Sequence, residues 1–404
     1  MSQSKVGWAI RLLPPALTGC LILMVCSFSL SRGFYELCAI HVFFALTLAS
    51  VVIVFLHVRP VMELLQLAAV VAALGAVQAI VLRVPLRWPV IAGLVGVCSL
   101  GLLGVRRVWA TPEKTILLHY AFLPPLLFAV LGYASPTLLG ITGKLHPKTL
   151  DLFLYVFDGS LGFQPSFVVG QWALRSRWLV RAAVCCYYLL PAVLMFVYSQ
   201  QLVRNVDFAM QAFLAFFIAG PLGVIFYNLV PACGPMYLVG AKFPLAPASL
   251  QPLKDLLIVP VAISGARNAF PSLHMGWALL ACWYSTGTSW WTKSFAAVFS
   301  AGTAVATLAI GEHYLVDLVV AFPFVLIVGA ACQFDVAISK WRRWGPILGG
   351  LLLLLGWAAL LRFAPRVGLI SPIVPWALIG GTLAFCWLLR SCSQGPSPEH
   401  RVDA

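Results

Sequence analysis

Long apolar stretches separated by short polar turns run through most of this 404-residue chain. A transmembrane helix needs about 20 mostly apolar residues, and about twelve stretches approach that length. The pattern therefore predicts an all-α, polytopic integral membrane protein with about 12 transmembrane helices. These stretches lie near residues 13–31, 35–57, 62–82, 88–105, 115–134, 178–202, 208–230, 271–287, 294–311, 314–334, 346–363 and 369–390.

Composition supports a membrane location and alters how the positive net charge of the chain is interpreted. The chain is 62% hydrophobic and 9% charged, whereas a soluble domain carries about 25% charged residues. A net charge of +14 would suggest nucleic acid binding in a soluble protein. Here the cations are spread over the turns between apolar stretches, where they suit anionic lipid headgroups. We expect a lipid bilayer as partner and no nucleic acid.

The distribution of polar loops divides the chain into three parts. Residues 1–110 form a predicted N-terminal four-helix membrane region, 111–338 a catalytic core with the longest polar loops, and 339–404 a C-terminal two-helix region with a polar tail. Within the core, residues 150–163 alternate apolar and polar positions, which predicts a short interfacial helix. The bias of Lys and Arg in short loops predicts a multi-pass protein of the cell membrane whose active site is extracytoplasmic.

Two motifs carry the candidate chemistry. Pro271-Ser272-Leu273-His274 opens one apolar stretch, and His313 and Asp317 open a later one. His313 and Asp317 share a helix face at i, i+4, and an aspartate bonded to one imidazole nitrogen would fix the tautomer. An acidic residue inside an apolar run is costly, so a function is expected. The plainer alternatives are a membrane-interface histidine bonded to a carbonyl, for His274, and a structural ion pair, for His313 and Asp317.

Further candidates would bind the phosphate or its headgroup. Proline favours the first helical position, so a helix N-terminus near Pro271, with Ser272, could hold a phosphate. Arg267 could add two donors, although a snorkelling arginine would look the same. Lys242, Asp158 and Tyr237 are candidate headgroup contacts that could equally be solvated.

These motifs resemble the type 2 phosphatidic acid phosphatase (PAP2) superfamily. The resemblance covers about 115–335 and implies that superfamily's six-helix core. Three features depart from the usual pattern: no Lys-x6-Arg-Pro motif precedes Pro271, Thr307 stands where an arginine is usual, and Leu273 stands in place of the glycine of Pro-Ser-Gly-His. Phe270-Pro271-Ser272-Leu273-His274 and the segment 227–237 look like the inositolphosphorylceramide synthase-like phosphotransferase branch.

The resemblance implies a mechanism. His313, oriented by Asp317, would attack phosphorus, and His274 would protonate the departing alcohol, leaving a phosphohistidine. The substrate would be a phospholipid or isoprenoid phosphate, with inositol-phosphate transfer to a lipid acceptor as one outcome. No cofactor and no metal is implied.

A transporter with interfacial ionisable residues is the alternative from a different class. Transporters usually show inverted repeats or charged groups at mid-membrane. In this chain the ionisable candidates collect at the ends of apolar stretches, which favours an enzyme.

Overall fold

The computed structural model describes residues 15–58, 63–245, 253, 255–334 and 340–393. The polar tail beyond residue 393 lies outside this range. Within the described residues the ordered elements are helices, with one isolated β-bridge between Thr149 and Val261. The all-α prediction is confirmed for this part of the chain.

The helices are short and numerous. In chain order they are α1 (Pro15–Ser29), α2 (Arg32–Ile40), α3 (Val42–Ala49), α4 (Val51–Val58), α5 (Leu64–Leu82), α6 (Trp88–Val108), α7 (Pro112–Leu145), α8 (Asp151–Gly159), α9 (Pro165–Leu174), α10 (Arg177–Tyr188), α11 (Leu190–Leu202), α12 (Val206–Tyr227), α13 (Pro235–Val239), α14 (Leu273–Tyr284), α15 (Trp290–Ala309), α16 (Leu315–Ala331), α17 (Lys340–Phe363) and α18 (Ile373–Ser393).

The number of membrane crossings is lower than the apolar pattern suggested. Six of the described helices are long and apolar enough to span a bilayer, or eight if each bent helix pair is one crossing. The count of about twelve is not confirmed. Three features contribute to the difference: the stretch 35–57 is divided among α2, α3 and α4, the stretch 271–287 yields the 12-residue α14, and α16 has 17 residues.

Packing divides the chain into two compact units. One contains the described residues up to Ser135 together with Tyr188–Phe213 and Tyr284–Lys293. In this unit α6 packs against α1, α3, α4 and α5. Gly96 lets α3 and α6 approach closely, because a Cβ there would overlap the Leu48 carbonyl group. The three-part division drawn from the loops stays a prediction.

The second unit contains Pro136–Tyr187, Leu214–Trp283 and the described residues from Ser294 onwards. Here α16 packs against α8, α17 and α18. A buried apolar cluster joins the helices that carry the two motifs, and its members are Met275 on α14, Leu308 on α15, and Leu318 and Ala321 on α16. The predicted helix within 150–163 is observed as α8. All the candidate site residues belong to this unit.

Candidate active site

His313 lies in the turn between α15 and α16. Gly311 reverses the chain there with a φ of +77°. The imidazole Nδ1 lies 3.1 Å from the carbonyl oxygen of Ala269, and the residue is 1% exposed. Since a carbonyl can only accept, Nδ1 carries the proton in this contact, which leaves the Nε2 lone pair available as a nucleophile.

Asp317 lies beside the same ring nitrogen but at a longer distance. Its Oδ2 is 3.6 Å from the His313 Nδ1, which is an ion-pair distance and too long for a good hydrogen bond. The same oxygen accepts the backbone N–H of Tyr314 at 2.8 Å. The Ala269 carbonyl is therefore the nearer partner of the imidazole, and the Asp317 side chain lies behind it at the longer distance.

His274 lies in the first turn of α14 and faces the nucleophile candidate. Its ring stacks on Tyr187, with ring centres 3.8 Å apart and planes 21° apart. The ring centres of His274 and His313 are 6.3 Å apart. Fold and sequence thus agree that these two histidines meet, although 38 residues lie between them in the chain.

Ser272 links the two motifs through the backbone. Its N–H donates to the Asp317 carbonyl oxygen at 3.1 Å, and its Oγ accepts the N–H of Met275 at 3.3 Å. Ser272 therefore acts as an N-cap of α14 while holding the start of that helix against α16. The predicted phosphate contact remains a prediction.

Arg267 is buried among backbone acceptors, and it is 4% exposed. Its Nε donates to the His146 carbonyl at 2.9 Å and its NH2 group to that of Pro147 at 3.2 Å. Its NH1 group donates to the Gly265 carbonyl and to the Cys233 Sγ, the latter at 3.5 Å. In this structure the guanidinium ties loop segments together, so binding a phosphate would require it to exchange one of these partners.

The candidate headgroup contacts differ in their surroundings. The Tyr237 hydroxyl donates to the Glu312 Oε1 at 3.1 Å, so it lies one residue from the nucleophile turn. Burial raises the pKa of the Glu312 carboxyl, because the charged form loses solvation. Lys242 is exposed at the end of a 3₁₀ turn, Gly240–Lys242.

Asp158 does not face solvent or a headgroup. It is 1% exposed, and its two oxygens accept the N–H groups of Leu315 at 2.6 Å and Val316 at 3.2 Å. These are the first two amides of α16, so Asp158 from α8 caps the helix that follows His313.

Asp151 makes a second set of buried contacts from the same helix, whereas the sequence suggested for it only a weak headgroup contact or a solvated position. Its Oδ1 accepts the N–H of Gly234 at 2.8 Å and the hydroxyl of Tyr314 at 3.2 Å. Its Oδ2 accepts the N–H of Cys233 at 3.1 Å. Asp151 and Asp158 are seven residues apart on an apolar helix, which places them on one face two turns apart. Two acidic residues at this spacing on an apolar helix were the feature of the sequence that could have indicated a shared buried role.

The titration of these groups follows from burial. Burial lowers the pKa of His313 to about 4, and the Glu312 carboxylate and the Ala269 carbonyl oppose that shift. Burial raises the pKa of Asp158 to about 8, where its bonds to backbone amides oppose the effect and Asp317 adds to it. His313 is therefore neutral at pH 7, as a nitrogen nucleophile must be.

Residues 152–331 match the family model of the PAP2 superfamily. The PAP2-like region contains both histidines, Asp317 and Asp158, and it indicates phosphatase or phosphotransferase activity. Comparisons with curated proteins and with solved structures found no match. The apolar helices indicate an integral membrane protein.

In the PAP2-like region, a threonine occupies the position at which an arginine is usual. Thr307, which stands where an arginine is usual, is fully buried in α15. Its hydroxyl donates to the Thr303 carbonyl at 2.9 Å. A hydroxyl bonded within its own helix cannot supply the positive charge of a guanidinium. Among the described residues, no group of three or more His, Cys, Asp or Glu side chains is arranged to hold a metal ion.

Proposed function

We propose that this protein is a multi-pass membrane enzyme that hydrolyses or transfers the phosphoryl group of a lipid phosphate through a phosphohistidine at His313. The observation that supports it most directly is the pairing of the two buried motifs. A neutral imidazole with Nδ1 held by Ala269 stands 6.3 Å, between ring centres, from the imidazole of His274.

In the first step the Nε2 lone pair of His313 attacks phosphorus and the bond from phosphorus to the lipid alcohol breaks. Burial lowers the pKa of His274 to about 3, so its ring takes up a proton only when the anionic phosphate binds beside it. It then gives that proton to the departing oxygen. The phosphorylated ring keeps its Nδ1 proton and becomes positively charged. The Ala269 carbonyl accepts that proton's hydrogen bond, and the Asp317 carboxylate at 3.6 Å stabilises the charge.

In the second step water or an acceptor hydroxyl attacks the phosphohistidine. His274, now neutral, takes the proton of the attacking oxygen, and the bond between phosphorus and Nε2 breaks. The same site therefore supports both hydrolysis and transfer. We propose a phospholipid or isoprenoid phosphate as the substrate, and the likeness of 227–237 and 270–274 to inositolphosphorylceramide synthases supports inositol-phosphate transfer as a specific version.

Trapping of the intermediate tests the mechanism. Purified protein is mixed with a ³²P-labelled short-chain phosphatidic acid, quenched and examined for label that survives alkali and is lost in acid. His313→Ala should form no such label, and His274→Ala should form it at a rate lowered by about 10²–10⁴-fold. His57→Ala, a histidine of the other compact unit, is the matched control and should behave as wild type. Retention of more than about a tenth of the activity in His313→Ala would show that the nucleophile assignment is wrong.

Product analysis separates hydrolysis from transfer. Thin-layer chromatography of the labelled products, with and without inositol, should show either free phosphate in both samples or a new inositol-dependent product. Uptake of an unmodified solute by vesicles that contain His313→Ala protein, at the wild-type rate, would instead favour a transporter.

A further inference from the structure

We propose that Asp158 is a positioning residue for the reaction, which holds the ring of His313 by fixing the first turn of α16. This inference rests on the proposed function of His313. It concerns a carboxylate that contacts backbone amides and does not touch the substrate.

The contacts of Asp158 lie directly behind the nucleophile. Its oxygens accept the N–H groups of Leu315 and Val316, two and three residues after His313. At 2.6 Å the first of these is a short hydrogen bond. The position of α16 along its axis, and with it the turn that carries His313, is therefore set by a side chain from α8.

Asp151 anchors the same turn from the other end of α8. It accepts the hydroxyl of Tyr314 at 3.2 Å, the residue next to His313. The backbone N–H of Tyr314 is meanwhile bound by Asp317. The three residues after His313 are thus held by three different carboxylates, and two of these belong to one helix. An imidazole on such a turn has little freedom to leave the Ala269 carbonyl.

The carboxylates also determine where the phosphate does not bind. A helix N-terminus is normally an anion site, because its first amides have no partner within the helix. At α16 those amides are taken by Asp158 and Asp317. The substrate phosphoryl group is therefore excluded from the N-terminus of α16 and directed to the Nε2 side of His313. Burying a carboxylate is costly, and these amide bonds offset that cost.

Asp158→Asn tests the proposal with little change in volume. The amide keeps one acceptor oxygen but sets an NH2 group against one of the two backbone donors. Since a misplacement of about 1 Å can cost on the order of 10²-fold in rate, kcat with dioctanoyl phosphatidic acid should fall by that order while KM changes by less than about threefold. Asp207→Asn is the matched control, because Asp207 is the first-turn acid of α12 and lies in the other compact unit; it should keep the wild-type kcat.

A spectroscopic measurement gives a readout that does not depend on turnover. In protein labelled with ¹⁵N-histidine, the signals of His313 are identified by their loss in His313→Gln. Wild type should show one tautomer, protonated at Nδ1. Asp158→Asn should show exchange between tautomers or a shifted Nδ1 signal, and its melting temperature is measured in parallel. If the more drastic variant Asp158→Ala fails to fold, the spectrum of Asp158→Asn still tests whether Asp158 positions the ring of His313.

Two results would overturn the proposal. One is an Asp158→Asn protein with both the kcat and the His313 spectrum of wild type. The other is an equal loss of kcat in Asp158→Asn and Asp207→Asn with an unchanged His313 spectrum, because that would indicate a general structural effect. If the proposed function itself is wrong, His313→Ala will keep its activity. The histidine spectrum of Asp158→Asn would still report, independently of that result, whether Asp158 holds the ring of His313.

Discussion

Replacement of Gly234 by alanine should damage the candidate site through the backbone alone. Gly234 has φ +118° and ψ 159°, a region that is essentially restricted to glycine. A Cβ at this position would lie 2.7 Å from the carbonyl carbon of Glu312 and 2.9 Å from the carbonyl oxygen of Gly311. Real Cβ atoms essentially never approach closer than 3.0 Å, so the backbone that leads into His313 must move.

The magnitude has two parts. The disfavoured backbone conformation costs roughly 1–3 kcal/mol of folding free energy. The clash displaces the Glu312 carbonyl by several tenths of an ångström, and a misplacement of about 1 Å can cost 10²-fold in rate. We therefore expect kcat for phosphate release from dioctanoyl phosphatidic acid to fall by between about 10- and 100-fold.

Gly162→Ala is the matched control. Gly162 also has a positive φ, +95°, but a Cβ there meets nothing within 4 Å. It should lower the melting temperature through backbone strain while leaving kcat within about threefold of wild type. Equal losses of kcat in the two variants, or a Gly234→Ala protein with full activity, would refute the idea that this contact positions the nucleophile turn.

Four further outcomes are expected. Burial lowers the pKa of His313 from 6.5 to about 4, so its neutral form contributes stability above pH 6.5 that is lost as the pH falls towards 4. In thermal melts over that range, wild type should lose up to roughly 3 kcal/mol of folding free energy relative to His313→Gln. A stability difference that stays constant with pH would contradict the pKa shift. Tyr187→Leu should lower kcat more than Tyr187→Phe, because the aromatic face stacks on His274; equal effects would indicate that stacking is irrelevant. Phosphate release should survive EDTA, and loss of activity that zinc or magnesium restores would indicate a metal mechanism. In intact cells an impermeant thiol reagent should label Lys242→Cys but not Lys293→Cys, and the reverse pattern would place the active site on the cytoplasmic side.

Two local features could be predicted from the sequence because they depend on residue type at a fixed spacing along the chain. Apolar stretches predict helices, and the ordered elements among the described residues are helices apart from one β-bridge. The i, i+4 spacing predicts that His313 and Asp317 share the face of one helix; α16 begins only at Leu315, after His313, but the His313 Nδ1 and the Asp317 Oδ2 still lie 3.6 Å apart. The motif order also predicts that His274 meets His313. The topology suggested for the membrane stays a prediction, because it depends on a bilayer and not on the chain alone.

Helix length was harder to determine, because apolar composition does not show where the backbone breaks. The apolar run 35–57 is interrupted at His41, whose φ of −104° and ψ of 80° are not helical. A residue of ordinary helix propensity gives no sign of such a break when tertiary packing decides it. The count of crossings therefore could not be read from hydropathy.

The sequence by itself determined the membrane class of the protein and singled out the candidate reacting groups, since apolar composition and the two motifs depend only on residue type and spacing. The tertiary structure alone decided the partners of each polar group. Arg267 looks like a phosphate ligand in the sequence, yet its donors reach backbone carbonyls. Asp158 looks like a solvated acid, yet it caps α16. A buried polar group must find a partner, and that partner is usually supplied by a segment distant in sequence, which local patterns cannot reveal.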